Sequence, residues 1–164
     1  MTDVAVIGIG SPAGDDQAGW LVVDALRRAN LLQRLPCTVR LLALDRPGAR
    51  LLREFEDANV VVLVDATCSG APPGSIRRVD RIECIGRGRP LSGHEFGVAP
   101  ALQLAEALGL LPASIWIYGI EIQTAEVDGG PSVFVTAAAN KLAQIIADEL
   151  VQNFGAVPSS PAVG

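Results

Sequence analysis

The stretch that decides the fold lies at residues 4–19 and reads VAVIGIGSPAGDDQAG. Residues 4–7 are apolar and mostly β-branched, which indicates a short buried strand. Three glycines and a proline follow within residues 8–14, a composition typical of a loop. From about Gln17 to Leu32 apolar residues recur on one face, so this segment is predicted to be a helix. A strand that passes through a short loop into a helix is the unit of layered α/β folds.

The same alternation continues along the rest of the chain. Further strands are predicted at 38–44, 60–64 and 114–120, with an edge strand at 76–85, and further helices at 49–57, 98–108 and 132–153. Strands that alternate with helices predict a mostly parallel sheet covered on both faces. We therefore expect a single three-layer α/β domain over residues 1–154. Residues 155–164 are small and polar with two prolines, and we expect a flexible C-terminal tail there.

The composition agrees with one globular domain. The chain has 164 residues, of which 49% are hydrophobic and 19% charged, and its mean hydropathy is +0.36. Such a chain is long enough to bury a core and too apolar to remain disordered. No apolar run reaches the roughly 18 residues of a membrane helix, and the first residues lack the pattern of a secretory signal. We expect a cytoplasmic monomer without membrane contacts.

Charge and reactive side chains exclude several classes of protein. Acidic residues outnumber basic ones by 18 to 13, and the resulting net charge of −5 disfavours a nucleic-acid partner. The three cysteines, Cys37, Cys68 and Cys84, form no CxxC pair, so we expect free thiols rather than disulfides or a structural zinc site. His94 is the one histidine of the sequence, which excludes metal sites built from two or three histidines.

Three polar residues are expected to meet at one edge of the sheet, because the carboxyl ends of parallel strands lie together there. Asp16 lies in the loop after the first strand, Asp65 ends the strand at 60–64, and His94 lies in the loop before the following helix. Taken singly, each also has an ordinary structural role, and Asp15 is expected to cap its own helix. Together, two carboxylates and one imidazole form a mixed ligand set that suits nickel or zinc.

The glycines also match a competing motif. Residues 8–13, GIGSPA, satisfy the dinucleotide-binding pattern G-x-G-x-x-G/A, and Asp45 then takes the place of the ribose-binding acid. However, Asp15 and Asp16 occupy the helix start where a pyrophosphate would have to bind, and they would repel it. Asp45 also follows Gly10 by about 35 residues, against the usual ~20. A nucleotide-binding domain is therefore a less favoured alternative.

Four motifs together identify a family. They are GIGSPxGDDxxG at 8–19, VDA at 64–66, SGHExG at 92–97 and GIE at 119–121. In this order and spacing they resemble the hydrogenase maturation proteases, over a span from about Val4 to Leu150. Members of that family remove a C-terminal extension from the large subunit of NiFe hydrogenase after nickel has been inserted. The resemblance implies a twisted sheet of about five strands with helices on both faces, in agreement with the pattern of strands and helices.

The resemblance also implies a site and a function. The metal-contacting residues of the family fall on Asp16, Asp65 and His94, which are taken as the catalytic residues as well. The implied metal is the nickel of the precursor, or another divalent metal at the same site in the isolated protein. The predicted function is thus an endopeptidase whose partner is the hydrogenase large-subunit precursor. The main alternative is a non-catalytic maturation factor that binds nickel or the precursor through the same ligands.

Two further features leave alternatives open. Cys68 is close to Asp65 in sequence, but as a nucleophile it is less favoured because His94 would have to leave the metal to activate it. A basic stretch precedes the His94 loop and is interpreted either as a solvated edge strand or as a docking surface for the precursor. Its members are Arg77, Arg78, Arg81, Arg87 and Arg89.

Overall fold

A computed structural model of the chain describes residues 2–85, 98–123 and 129–155. Within these ranges the strands are β1 (Thr2–Gly10), β2 (Val39–Asp45), β3 (Ala58–Thr67), β4 (Ile76–Val79) and β5 (Ser114–Glu121). The helices are α1 (Ala18–Arg28), α2 (Arg81–Ile85), α3 (Ala99–Leu108) and α4 (Val133–Phe154). Two 3-10 segments, Gly14–Gln17 and Gly48–Phe55, precede α1 and β3 respectively.

The five strands form one sheet in the order β2-β1-β3-β5-β4. All neighbours are parallel except β4, which runs antiparallel to β5 at the edge. In the central register, Val6 of β1 pairs with Leu41 of β2 and with Val62 of β3. The central strands are apolar runs because helices cover both of their faces. The prediction of a three-layer α/β domain with a mostly parallel sheet is confirmed.

Two cores lie on the two faces of the sheet, since successive side chains of a strand point to opposite sides. On one face, Val62 and Val64 of β3 pack with α1 and α4. On the other face, Val61 and Leu63 pack with α3 and with the 3-10 segment Gly48–Phe55. Helices therefore cover both faces of β3 near its C-terminal end. Asp65, which follows Leu63 and Val64, lies at the edge of the sheet where the two cores end.

The structure corrects three predicted boundaries. The first helix ends at Arg28 instead of continuing to Leu32, because Asn30 has a φ of 50°, a left-handed conformation that does not propagate a helix. The segment predicted as an edge strand at 76–85 keeps strand structure only as far as Val79. A helical turn follows, in which the backbone N–H of Cys84 donates to the carbonyl of Asp80 at 2.9 Å. The short helix predicted at 49–57 is a 3-10 segment rather than an α-helix.

The tail and the basic stretch are described only in part. Apart from Gly155, the predicted flexible tail lies outside the described residues, as do Arg87 and Arg89. Arg77 and Arg81 are exposed. Arg78 is held by the protein itself: Nη1 donates to Oε2 of Glu149 at 2.7 Å, and the guanidinium stacks over Trp116 and Tyr118 with centroid distances of 5.2 and 5.5 Å. None of the helices in the described ranges is both long and apolar enough to span a bilayer.

The glycines at 8–19 allow β1 and α1 to approach more closely than side chains would permit. A Cβ on Gly19 would lie 2.5 Å from the carbonyl oxygens of both Ile9 and Val64. A Cβ on Gly8 would run into the carbonyl oxygen of Gly19, and one on Gly10 into that of Asp16. These glycines therefore serve backbone packing, and they hold the β1–α1 loop tightly against the sheet.

Candidate functional site

A cleft of about 480 Å³ opens at the carboxyl edge of the parallel strands. Asp16 and Asp65 both line it, and we call it the Asp16–Asp65 cleft. Its remaining lining is mixed: Ile9, Leu51, Val98, Ala101 and Ile122 are apolar, whereas Arg46 adds a cationic side chain. Two carboxylates beside apolar side chains are typical of sites that bind a cation or a polar group.

Asp65 is the more buried of the two carboxylates, with 7% of its surface exposed. It lies two residues before the end of β3 and pairs in register with Gly119 of β5. Its Oδ1 accepts the backbone N–H of Ala66 at 2.8 Å. A regular strand in the middle of the sheet thus fixes the backbone that carries Asp65, as the sequence predicted for a strand-end residue.

Asp16 belongs to the 3-10 segment Gly14–Gln17 and is half-buried. Its N–H donates to the carbonyl of Ala13 at 2.9 Å, and its own carbonyl accepts the N–H of Ser11 at 3.3 Å. The loop therefore satisfies its own backbone groups. Because the Ser11 N–H is already used, the loop does not present it to a phosphate, which argues further against nucleotide binding.

Asp15 does not cap the helix that follows it, contrary to the prediction. The positions that begin the 3-10 segment and α1 have no side-chain cap. Instead, the Asp15 carboxylate accepts hydrogen bonds from the backbone N–H of Ser132 at 2.6 Å and from its hydroxyl at 3.1 Å. Ser132 in turn caps α4, its Oγ accepting the N–H of Val135 at 3.3 Å. The paired aspartates thus divide their roles: Asp15 ties the loop to α4, and Asp16 faces the cleft.

His94 lies in residues 86–97, outside the described part of the chain, so its place in the site stays a prediction. Val98, four residues after His94, is the first described residue that follows this segment, and it lines the cleft. Among residues 2–85, 98–123 and 129–155, no three His, Cys, Asp or Glu side chains are grouped so that they could hold a metal ion. Of the three predicted ligands, Asp16 and Asp65 lie in the described ranges and line the same cleft, and their role as metal ligands stays a prediction.

Cys68 lines the same cleft, and its thiol donates to the carbonyl of Ile122 at 3.9 Å. Desolvation by its surroundings raises the pKa of this thiol, and the negative charges of Glu121 and Asp16 raise the pKa further. The thiol is thus protonated at neutral pH, and a protonated thiol is a weak nucleophile. This agrees with the interpretation that Cys68 is the less favoured candidate for a nucleophile.

Arg46 is a cleft residue that the sequence analysis did not single out. It has a φ of 40°, unusual for a residue other than glycine, and its N–H donates to the carbonyl of Gly10 at 3.1 Å. Its Nε lies 2.7 Å from Oδ1 of Asp45. Asp45, considered above as a ribose-binding acid, is therefore paired with a cation. The sequence signal that could have identified Arg46 is the Pro47-Gly48 pair that follows it, because these residues indicate a tight bend at the end of a strand.

Comparison with known proteins places this geometry in a family. A sequence profile of the hydrogenase maturation proteases matches residues 21–149. The hydrogenase expression/formation protein HupD of Thiocapsa roseopersicina is 31% identical over 122 residues, which cover 73% of this chain and 54% of that protein. The chain thus spans about half the length of this relative.

Solved structures agree. The hydrogenase maturating endopeptidase HybD of Escherichia coli superimposes with a TM-score of 0.72 over 93% of both chains at 22% identity, which shows a shared fold. The NiFe hydrogenase maturation protease HycI of Thermococcus kodakarensis superimposes with a TM-score of 0.64 at 25% identity, over 93% of this chain and 94% of that one. Since the family profile covers well over half of the sequence, the chain belongs to the hydrogenase maturation protease family.

Proposed function

We propose that this protein is an endopeptidase that removes the C-terminal extension of a NiFe hydrogenase large-subunit precursor after nickel insertion. The observation that carries the proposal is the convergence of Asp16 and Asp65 on one cleft at the carboxyl edge of the sheet. Membership of the family supplies the class of substrate and reaction. The cleft supplies carboxylates, which act as general bases in the hydrolysis of a peptide bond by one class of peptidases.

In this proposal the nickel arrives with the precursor and is part of the substrate. Asp16 and Asp65 offer carboxylate oxygens, and His94 offers an imidazole nitrogen, a set of donors that suits nickel. Asp16 and Asp65 place two negative charges at one cleft against the one positive charge of Arg46, and this excess of negative charge favours a bound cation. Recognition through the metal explains why cleavage waits for nickel: a precursor without the metal lacks the group that these ligands bind.

Hydrolysis then needs an activated water molecule. A carboxylate of the pair Asp16 and Asp65 takes a proton from the water as its oxygen attacks the scissile carbonyl carbon. The protonated carboxyl group then returns this proton to the departing amine nitrogen as the C–N bond breaks. The apolar side chains of Leu51, Val98 and Ile122 lower the polarity beside the carboxylates and strengthen their electrostatic interactions. His94 orients or ligates the nickel and leaves the proton transfer to the carboxylates.

The function is tested by incubating the purified protein with nickel-loaded precursor and measuring the mass of the precursor. Loss of a C-terminal fragment with nickel, and none without it, is the expected result. A stable complex without loss of mass would instead support the non-catalytic binding factor. Thermal stabilisation by nucleotides, with no effect on the precursor, would support the nucleotide-binding alternative.

Replacing Cys68 by Ser is expected to leave the rate of precursor cleavage within about threefold of the wild type, because the protonated thiol takes no part in the chemistry. Serine preserves the size of the side chain that lines the cleft. The measurement is the initial rate of loss of the C-terminal fragment. A decrease of about 100-fold or more would restore Cys68 as a nucleophile candidate.

A further inference from the structure

Glu121 is a buried carboxylate that the chemistry proposed above does not use. It is the last residue of β5, and only 3% of its surface is exposed. Burial of a carboxylate is costly unless hydrogen bonds replace its lost hydration. The groups that hydrogen-bond to Glu121 therefore indicate what the residue does.

Four donors reach this carboxylate, and all of them come from residues 67–70, directly after the Asp65 end of β3. Oε1 accepts the backbone N–H groups of Ser69 at 2.7 Å and Gly70 at 2.9 Å. Oε2 accepts the hydroxyl hydrogens of Thr67 at 2.9 Å and Ser69 at 2.8 Å. Burial alone would raise the pKa of Glu121, but these bonds outweigh it and lower the pKa, so the carboxylate is ionised.

The main chain of Glu121 holds the other end of the same loop. Its N–H donates to the carbonyl of Ser75 at 2.9 Å, and its carbonyl accepts the N–H of Gly74 at 2.8 Å. Residues 71–73, between these attachments, are exposed. Glu121 thus fastens the start of the loop 67–75 through its side chain and the end through its main chain, and the N–H of Ile122 also donates to the carbonyl of Thr67 at 2.9 Å.

The loop 67–75 contributes to the site. Cys68 lines the Asp16–Asp65 cleft, and it also lines a second cavity of about 450 Å³ that residues 70–73 and Glu121 complete. Asp65 itself is held by its pairing with Gly119 in the sheet. The loop therefore forms part of the cleft wall beside the carboxylates, whereas the sheet fixes the position of Asp65.

We propose that Glu121 is a positioning residue that fixes the loop 67–75 and so preforms the wall against which the substrate peptide binds. The part of this proposal that concerns the substrate rests on the endopeptidase function proposed above. A preformed wall lowers the cost of ordering the loop when the peptide binds, so its loss acts on binding more than on the chemical step.

Hydrogen bonding, rather than charge, is what this role requires. Glutamine at position 121 can accept the two N–H groups with its carbonyl oxygen and donate its amide hydrogens to the hydroxyls of Thr67 and Ser69, which turn to accept them. Alanine leaves all four donors without this partner. Comparing Glu121→Gln with Glu121→Ala therefore distinguishes the loss of the negative charge from the loss of the hydrogen bonds that hold the loop.

The test compares these two variants by amide hydrogen exchange and by precursor cleavage, well below their melting temperatures. In Glu121→Ala, exchange of the Ser69 and Gly70 N–H groups is expected to accelerate by about tenfold or more, because these groups lose the carboxylate while the main-chain bonds to Gly74 and Ser75 remain. The KM for nickel-loaded precursor is expected to rise about tenfold while kcat stays within about threefold. Glu121→Gln is expected to match the wild type in both measurements within about threefold.

Glu149→Ala is the matched control. It removes another partly buried carboxylate that contacts β5, where it accepts the Tyr118 hydroxyl at 2.6 Å on the α4 face of the sheet. It is expected to lower stability without changing KM or exchange in the loop 67–75. Unchanged exchange in Glu121→Ala would overturn the proposal, as would a Glu121→Gln variant as impaired as Glu121→Ala.

The two proposals fail in different ways. Accelerated exchange with an unchanged KM would show that the loop is fastened by Glu121 but is no part of the peptide site, which overturns the positioning role. If the wild type cleaves no precursor, the proposed function fails, and hydrogen exchange still decides whether Glu121 fixes the loop.

Discussion

Replacing Asp65 by Asn is expected to slow precursor cleavage by about 10³-fold or more while the protein stays folded. The amide oxygen of Asn still accepts the Ala66 N–H that Asp65 Oδ1 accepts at 2.8 Å, so the local backbone is preserved. What is lost is the negative charge, and with it the capacity to bind a cation or to take a proton from water. Time courses of the mass of the nickel-loaded precursor measure the rate.

Two further variants make this experiment more specific: the double variant of Asp16 and Asp65, and Asp45→Asn as a control. If Asp16 and Asp65 act as a unit, Asp16→Asn should be similarly inactive, and the double variant little worse than either single one. Asp45→Asn is the control, since Asp45 ends the parallel strand β2 but is paired with Arg46 at 2.7 Å. We expect it to stay within about threefold of the wild type. Full activity of Asp65→Asn would end the assignment of this cleft as the catalytic site.

Replacing Gly19 by Ala is expected to lower the free energy of unfolding by about 3 kcal/mol or more. The added Cβ would lie 2.5 Å from the carbonyl oxygens of Ile9 and Val64, and neither backbone can move without displacing a central strand. In a helix such as α1, alanine is intrinsically favoured over glycine by about 1 kcal/mol, so any destabilisation must arise from this contact. Urea denaturation followed by circular dichroism measures the change.

Gly130→Ala provides the comparison for the Gly19 variant. A Cβ at Gly130 meets no atom of the described residues within 4 Å. Its substitution is expected to change the free energy of unfolding by no more than about 1 kcal/mol. Equal stabilities of the two variants would show that α1 can move away from β1, and that the glycines at 8–19 are not required for packing.

The fold could be predicted because its determinants are local. The apolar runs at 4–7 and 60–64 are short, β-branched and bounded by loop residues, so they indicate buried parallel strands without knowledge of their neighbours. The boundaries that were wrong depend on single backbone conformations. The left-handed Asn30 that ends α1 is an example, since asparagine also occurs within helices.

The site could be predicted only as far as strand topology determines it. Asp16 follows β1 and Asp65 lies near the end of the neighbouring parallel strand β3, and this topology brings both to one cleft. The roles of Asp15 and Glu121 were not predictable in this way. Asp15 is bound by Ser132, 117 positions away, and Glu121 by residues more than 50 positions earlier in the chain. No pattern within a helix or a strand encodes such pairs.

The bond between Asp15 and Ser132 has a consequence for the biosynthesis of the protein. Asp15 precedes Ser132 by 117 positions, so the acidic loop leaves the ribosome well before the helix that anchors it. Until residue 132 has emerged, Asp15 lacks the partner that it meets at 2.6 Å. A nascent chain therefore completes the attachment of this loop only when α4 begins to emerge, and truncation before α4 removes that anchor together with the helix.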